Sequence, residues 1–417
     1  MTDSSIPGFF EKSRKERLDI IQYNTNLTAT DINTLLDEMG GVSFEKADKM
    51  VENAIGTFSL PLGVATNFKI NGRDYIIPMA IEEPSVIAAA SKGAKDARIR
   101  GGFSAQADTS YMTGQIQLLN TDMKTAPKII QKHSDEIINL ANSKSHTLPA
   151  MGKGAKSISS RILDTPSGDM VIVEIQIDVG DAMGANITNT MCETISPFLE
   201  KITGGRALLK ILSNYSTDRM VRATATFDKD VVGSRVIDDM LLAFEFADYD
   251  VHRAVTHNKG IMNGIIAVAN ATGQDSRAIE AAANAYAAKS GTYRSLTRWS
   301  KDADGNLSGM LELPMSVGIV GGIAGVHPIS ATCIKMLGAD SAQELACIMA
   351  SAGLAQNYSA LRALSTEGIQ KGHMKLHARN VAAAAGATPH QIDHIVDVMV
   401  REGNISVGRA RQLLGQI

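Results

Sequence analysis

The stretch THNKGIMNG, residues 256–264, places His257, Asn258, Lys259 and Asn263 among residues with little side-chain bulk. Gly260 and Gly264 would let the backbone turn tightly or approach a ligand closely. Asp275 follows sixteen residues after Lys259, at the mouth of a helical pattern in NATGQDSRAIEAA. A lysine and an aspartate flanking a glycine-rich segment can hold a cation in low dielectric and stabilise a developing oxyanion. A solvated loop with a surface ion pair is the plainer alternative. Glu82 and Glu83 stand where Pro84 suits the first position of a helix through Val86–Ala90. The dipole there favours an anion, so a proton-donating Glu83 would need burial that outweighs it. His373 and His377 are four apart and share a helix face. No glutamate of an HExxH motif and no nearby cysteine accompanies them, so the choice lies between a general acid and an ordinary surface histidine.

No GxGxxG follows a strand and opens a helix, which argues against a Rossmann dinucleotide domain. DAMGAN, residues 181–186, lies between a strand and a helix, where Gly184 and Ala185 would admit a pyrophosphate to the helix N-terminus. An ordinary capped turn remains the alternative. GKGAKS, residues 152–157, lacks the Walker spacing and reads as a flexible basic loop.

These groups need elements to position them. Residues 10–57 read as helical, and 66–79 as a hairpin around Asn71-Gly72. GGFSAQADTS, from 101, is a plausible crossing point between domains, and 143–160 is a polar stretch. VIVEIQIDV, 171–179, alternates as a half-buried strand, and ALLKIL and 221–227 add two more. Residues near 109–218 therefore form a strand–helix–strand insert, with strands two-faced enough for an antiparallel sheet. Helices dominate from 233 onward, and Thr388-Pro389 restarts the chain as a small helical appendage.

Composition narrows the function classes. The chain has 417 residues, 44% hydrophobic and 20% charged, with a formal net charge of −3, which describes a globular protein of two or three domains. No basic block offers a footprint for nucleic acid, and no apolar run reaches the ~18–20 residues of a membrane helix. The N-terminus lacks a signal-peptide core, and Cys192, Cys333 and Cys347 are scattered and odd in number. A reducing cytoplasm is the expected setting.

ENAIGTFSLPLG (52–63), EEPS (82–85), DAMGAN, THNKGIMNG, ATGQD (271–275) and GHM (372–374) occur in this order. In that series the chain resembles the class II 3-hydroxy-3-methylglutaryl-coenzyme A (HMG-CoA) reductases over nearly its whole length. The resemblance implies an α+β fold. Residues 1–108 plus 219–370 would be a large, mostly helical catalytic and HMG-CoA-binding domain. Residues 109–218 would be an inserted small, non-Rossmann α/β dinucleotide-binding domain, and 371–417 a C-terminal helical flap. It implies reduction of HMG-CoA to mevalonate and free CoA by two reduced nicotinamides, or the reverse. The catalytic positions fall on Glu83, Lys259, Asp275 and His373, with Asp275 pairing with Lys259 and Glu83, and His373 protonating the departing thiolate. Substrate positions fall on Ser85, Arg253, Asn263 and Gln356. The cofactor would meet Asp181, Met183, Gly184, Asn186 and Asn214. NADH-preferring members carry an acid near position 146. Here the run 141–147 has none, so Lys144 and His146 imply a preference for NADPH, with NADH possible and no metal. The family also implies a homodimer or higher oligomer with sites at the subunit interface. A CoA-thioester transferase or hydrolase without redox chemistry is the competing reading, though it leaves DAMGAN without purpose. A non-enzymatic helical scaffold is a third.

Overall fold

The computed structural model describes residues 3–37, 42–366 and 368–415, with the side chains of 324, 369–376 and 389 outside the described residues. Three short helices open it: α1 (Arg14–Asn24), α2 (Ala29–Leu36) and α3 (Phe44–Met50). Capping boxes start the first two, Ser13 with Glu16 and Thr28 with Asp31. The helical reading of 10–57 is thus too generous. The chain leaves α3 at Met50, turns through Asn53 at φ 57°, and runs irregularly over 54–61. No apolar stripe there would anchor a longer helix.

Strands β1 (Leu62–Ile70) and β2 (Arg73–Ala80) form the expected hairpin, with Asn71 and Gly72 both left-handed, at φ 50° and 82°. Helix α4 (Val86–Arg98) starts two residues later than Pro84 suggests, because Ser85 occupies the N-cap in a left-handed conformation, φ 75°. The presumed crossing segment is itself paired. Within it lies β3 (Phe103–Ala107), which bonds to a strand more than a hundred residues on.

The insert runs β4 (Tyr111–Leu119), α5 (Ala126–Lys132), α6 (Ser134–Asn142), α7 (Thr147–Ala150), β5 (Gly154–Leu163), β6 (Met170–Asp178), α8 (Ala185–Thr203) and β7 (Arg206–Leu212). Its four strands pair in the order β5-β6-β4-β7, antiparallel throughout. GKGAKS is not a loop, since its last four residues begin the edge strand β5. Val171, Val173, Ile175, Ile177 and Val179 all point inward, against Met191, Ile195 and Leu199 of α8. Fully burying one such side chain is worth about 1.5–3 kcal/mol, so this face of β6 fixes the sheet's register.

The chain then returns to the first sheet through β8 (Met220–Phe227). Helices α9 (Lys229–Val232), α10 (Ser234–Tyr249), α11 (Val251–Ala271) and α12 (Ser276–Ala287) follow. Two strands that the helical texture concealed come next, β9 (Thr297–Lys301) and β10 (Leu307–Pro314). The six-stranded order is β2-β1-β3-β8-β10-β9, in which only β1 and β3 run parallel. Helices α13 (Pro328–Leu337) and α14 (Ala342–Leu364) complete the packing around it. Helix α14 is buried all round over Leu345–Tyr358, as befits a helix threaded through a core. Its Tyr358 ring stacks on Phe227 of β8 at 3.7 Å. Finally α15 (Ile369–Ala384), α16 (Pro389–Glu402) and α17 (Val407–Leu414) share a small core of their own, including Ile395, Val396 and Met399.

Candidate active site

The 256–264 motif is no loop. It occupies the middle of the 21-residue helix α11, whose N-terminus Asp250 caps by accepting from Arg253 N at 2.8 Å. Helical spacing then divides the motif. Lys259 and Asn263, one turn apart, face outward; His257 and Asn258 face the core and are buried. The glycines do not bend the chain. A Cβ on Gly264 would stand 2.9 Å from the Ala352 carbonyl oxygen, so this glycine lets α11 and α14 approach each other closely.

Facing Lys259 is Glu83, held in the short link between β2 and α4. Lys259 Nζ donates to Glu83 Oε2 at 2.6 Å, and Asn263 Nδ2 donates to the same oxygen at 3.2 Å. The pair is open to solvent, the lysine 58% and the glutamate 38% exposed. A carboxyl group and an ammonium group 176 positions apart in the chain thus share one hydrogen bond, able to move a proton and to hold an oxyanion.

Two further expected residues border this pair with unsatisfied polar atoms. Ser85 Oγ and Gln356 Oε1 are buried and have no hydrogen-bond partner among the described residues. Gln356 Cβ lies 3.0 Å from where a Gly264 Cβ would be, beside Asn263. A buried orphan acceptor or hydroxyl is costly, and a polar ligand would satisfy both. Arg253 is half-buried six residues before Lys259 on the same helix, and burial pulls its guanidinium below its ordinary value.

Asp275 departs from expectation. Its carboxylate caps α12, accepting from Ala278 N at 3.1 Å, and pairs with Arg277 Nη2 at 3.1 Å. Among the described residues no contact joins it to Lys259 or Glu83. The twelve steps of α11 from Lys259 to Ala271 rise about 18 Å along the helix axis before the chain reaches Asp275. His373 lies on α15, and its side chain is outside the described residues.

The second cluster surrounds the turn from β6 to α8. Gly184 is the N-cap of α8, at φ 99°, and no side chain caps that helix. A Cβ on Gly184 would meet Val179 at 2.6 Å. The turn is braced from behind, since Arg219 donates to the Met183 carbonyl at 3.2 Å and Ala342 N to Asp181 Oδ1 at 3.0 Å. Asn186 is exposed in the first turn of α8. Asn189 accepts from Leu212 N at 2.8 Å, bringing the exposed Asn214 beside that helix. Lys144 and His146 are exposed between α6 and α7. That segment follows Asn142, which accepts from Ala155 N at 2.8 Å, next to the end of β6. The sequence reading passed over Lys153. Its Nζ sits 2.7 Å from the position of a Gly180 Cβ, directly over the turn. Only the tertiary approach of β5's lead-in to Gly180 reveals it.

The matches to known proteins bear on both clusters. The model of a family described as "Hydroxymethylglutaryl-coenzyme A reductase" matches residues 13–378. The chain belongs to that family. It is 50% identical over 416 residues to the 3-hydroxy-3-methylglutaryl-coenzyme A reductase of Archaeoglobus fulgidus, covering 99% of this chain and 95% of that one. It is 34% identical to a probable reductase of the same kind from Borreliella burgdorferi, covering 80% and 77%. Among solved structures, a 3-hydroxy-3-methylglutaryl-coenzyme A reductase from Streptococcus pneumoniae aligns with TM-score 0.84 at 38% identity, over 99% of both chains. A class II reductase from the same organism, bound to NADPH in open conformations, aligns at 0.82 and 38%, over 97% and 99%. Like those structures, this member of the reductase family is a mixed α+β protein with two sheets. Among its described residues no helix is long and apolar enough to cross a membrane, and no cluster of three or more His, Cys, Asp or Glu could hold a metal.

Proposed function

We propose that the chain is a class II HMG-CoA reductase that converts HMG-CoA to mevalonate and CoA. The observation that carries this reading is the Lys259–Glu83–Asn263 hydrogen-bonded cluster, in a chain that matches the family over 13–378. The reaction is a four-electron reduction in two stages, through mevaldehyde. A reduced nicotinamide dinucleotide, when bound, would supply the hydride at each stage.

Lys259 Nζ binds the thioester oxygen and then the aldehyde oxygen, where negative charge builds as each carbonyl is reduced. Glu83 passes a proton to that oxygen at the aldehyde stage, and Asn263 keeps its carboxyl aimed. The CoA thiolate expelled in the first stage takes a proton from His373, so it cannot re-add to mevaldehyde. Arg253 offers the bidentate donor for the substrate's free carboxylate, and Ser85 and Gln356 satisfy their orphan atoms on its hydroxyl end. Residues 109–218 would hold the cofactor, the start of α8 with no side-chain cap being suited to a pyrophosphate. Asp181, Met183, Gly184, Asn186 and Asn214 line that site with Lys153 over the turn, while Lys144 and His146 face a 2′-phosphate and favour NADPH. Residues 371–417 close over the site as a flap. Asp275, which pairs with Arg277 and caps α12 in its own chain, fits a site completed by a second copy in a homodimer.

The deciding experiment mixes the purified protein with NADPH and HMG-CoA. Loss of nicotinamide absorbance, two equivalents per CoA thiol released, is expected. Thiol release without cofactor oxidation would instead establish the hydrolase or transferase reading.

A further inference from the structure

The back of α11 carries a buried polar network that the chemistry above leaves unused. His257 is 2% exposed, Thr297 0% and Asn357 1%. His257 Nε2 lies 2.8 Å from Thr297 Oγ1. Thr297 Oγ1 donates to Asn357 Oδ1 at 3.1 Å, and Trp299 Nε1 donates to the same oxygen at 2.9 Å. Asn357 Nδ2 lies 3.2 Å from the same ring nitrogen, so His257 Nε2 meets both Thr297 and α14, and the ring's tautomer sets which way each proton points. Among the described residues Nδ1 has no partner. A second tie lies beside the first. Asn258 donates to the Arg294 carbonyl at 2.8 Å and accepts from Leu296 N at 3.0 Å. Together they join α11 to β9 and α14.

We propose that His257 is a positioning residue, which fixes the rotation of α11 so that Lys259 meets Glu83. Lys259 stands two residues after His257, about 200° around the helix, so the network grips the side opposite the reacting ammonium. A side chain reaches about 5–6 Å from the helix axis, so a turn of 10° displaces its head by about 1 Å. Misplacement on that scale can cost a hundredfold in rate. Gln356 follows from the same grip, being the neighbour of Asn357 on α14. The ring stays neutral in this setting. Burial first, and the Arg253 charge one turn away second, push its pKa down to about 3. A protonated ring would lack an acceptor at Nδ1.

This inference rests on the reductase reading, and its test separates the two. Three variants are compared with wild type: His257→Leu, His257→Gln and Thr297→Val. In each, kcat, KM for HMG-CoA and NADPH, and the melting temperature are measured. His257→Leu should lower kcat at least thirtyfold with KM for NADPH within twofold. His257→Gln, whose amide can both donate and accept toward Thr297 and Asn357, should recover to within fivefold of wild type. Thr297→Val should fall between them. Leu retaining more than a third of kcat, or Gln no better than Leu, overturns the proposal. If Leu does not fold, a Gln variant that melts like wild type yet loses more than thirtyfold overturns it, and the ordering of Gln above Val supports it. Should wild type oxidise no NADPH, the reductase reading fails by itself. Nitrogen-15 NMR then still tests the network, which requires an imidazole that stays neutral at pH 5. A ring protonated there in the folded protein overturns the positioning role.

Discussion

The two clusters that this fold presents are built on opposite plans. Around Glu83, chemistry rests on side chains brought together from distant parts of the chain, and the backbone serves to aim them. Around the β6–α8 turn it rests on what side chains leave free: a glycine N-cap, an uncapped helix start and a backbone braced by Arg219. The first plan suits a site that must stabilise one developing charge at one point. The second suits a site that must admit an extended dinucleotide. Changes at the first should therefore strike kcat, and changes at the second KM for the cofactor.

The largest effect is expected at Lys259. Lys259→Ala should lose about 3 kcal/mol or more of transition-state stabilisation, at least a hundredfold in kcat. Its melting temperature should hold, because the side chain is more than half exposed and has little packing to lose. A folded variant with over a tenth of wild-type kcat would remove Lys259 from the chemistry and break the comparison.

His373→Gln sharpens it by dividing the reaction. Reduction of free mevaldehyde releases no thiol, so it should stay within about threefold of wild type. Reduction of the full thioester should fall by about a hundredfold, in the range of a lost general acid. Equal damage to both half-reactions would mean that His373 positions substrate.

The two plans also differ in how far they could be read from the sequence. The hairpin at Asn71-Gly72, the buried face of β6 and the capping of α16 follow from local rules, because neighbouring residues determine them. So do the turn at DAMGAN and its glycine. Strands β9 and β10 escaped notice amid helix-forming sequence, although Asp304-Gly305 marks the hairpin between them. The glycines of THNKGIMNG suggested a loop, whereas Gly264 exists for the approach of α14, which only tertiary structure discloses. The same holds for His257, which reads as part of the reactive motif and serves on its reverse side. The engagement of Asp275 with Arg277 was equally out of reach, since it depends on where α11 ends.

Gly184→Ala probes the second plan directly. The added methyl would sit 2.6 Å from Val179, at a φ of 99° that side chains rarely adopt. Strain of about 1–3 kcal/mol is expected, drawn from the turn itself. KM for NADPH should rise about tenfold, with KM for HMG-CoA within twofold. An unchanged cofactor KM would show that the dinucleotide does not rest on this turn.

The smallest expected effect concerns which nicotinamide is used. The 141–147 segment holds no acid, and its exposed Lys144 and His146 lie toward the same end of the small sheet as Lys153 and Gly180. A ribose 2′-phosphate arriving there meets donors and no repelling carboxylate. A charge-assisted hydrogen bond of that kind is worth about 1.5–3 kcal/mol, roughly tenfold to a hundredfold in kcat/KM. Exposure to solvent and salt favours the lower end. Wild type should therefore prefer NADPH over NADH by about tenfold. His146→Asp supplies an acceptor for a 2′-hydroxyl and repels the phosphate, so it should bring the two cofactors to near parity. Lys153→Ala should weaken binding of both, because its ammonium stands over the β6–α8 turn, where the shared pyrophosphate would lie. The measurement is kcat/KM for each cofactor at one fixed HMG-CoA concentration, at low and at raised salt. A native tenfold preference for NADH would place recognition of the 2′ position elsewhere in the insert. A Lys153 variant that loses only NADPH would instead move that lysine from the pyrophosphate to the 2′-phosphate.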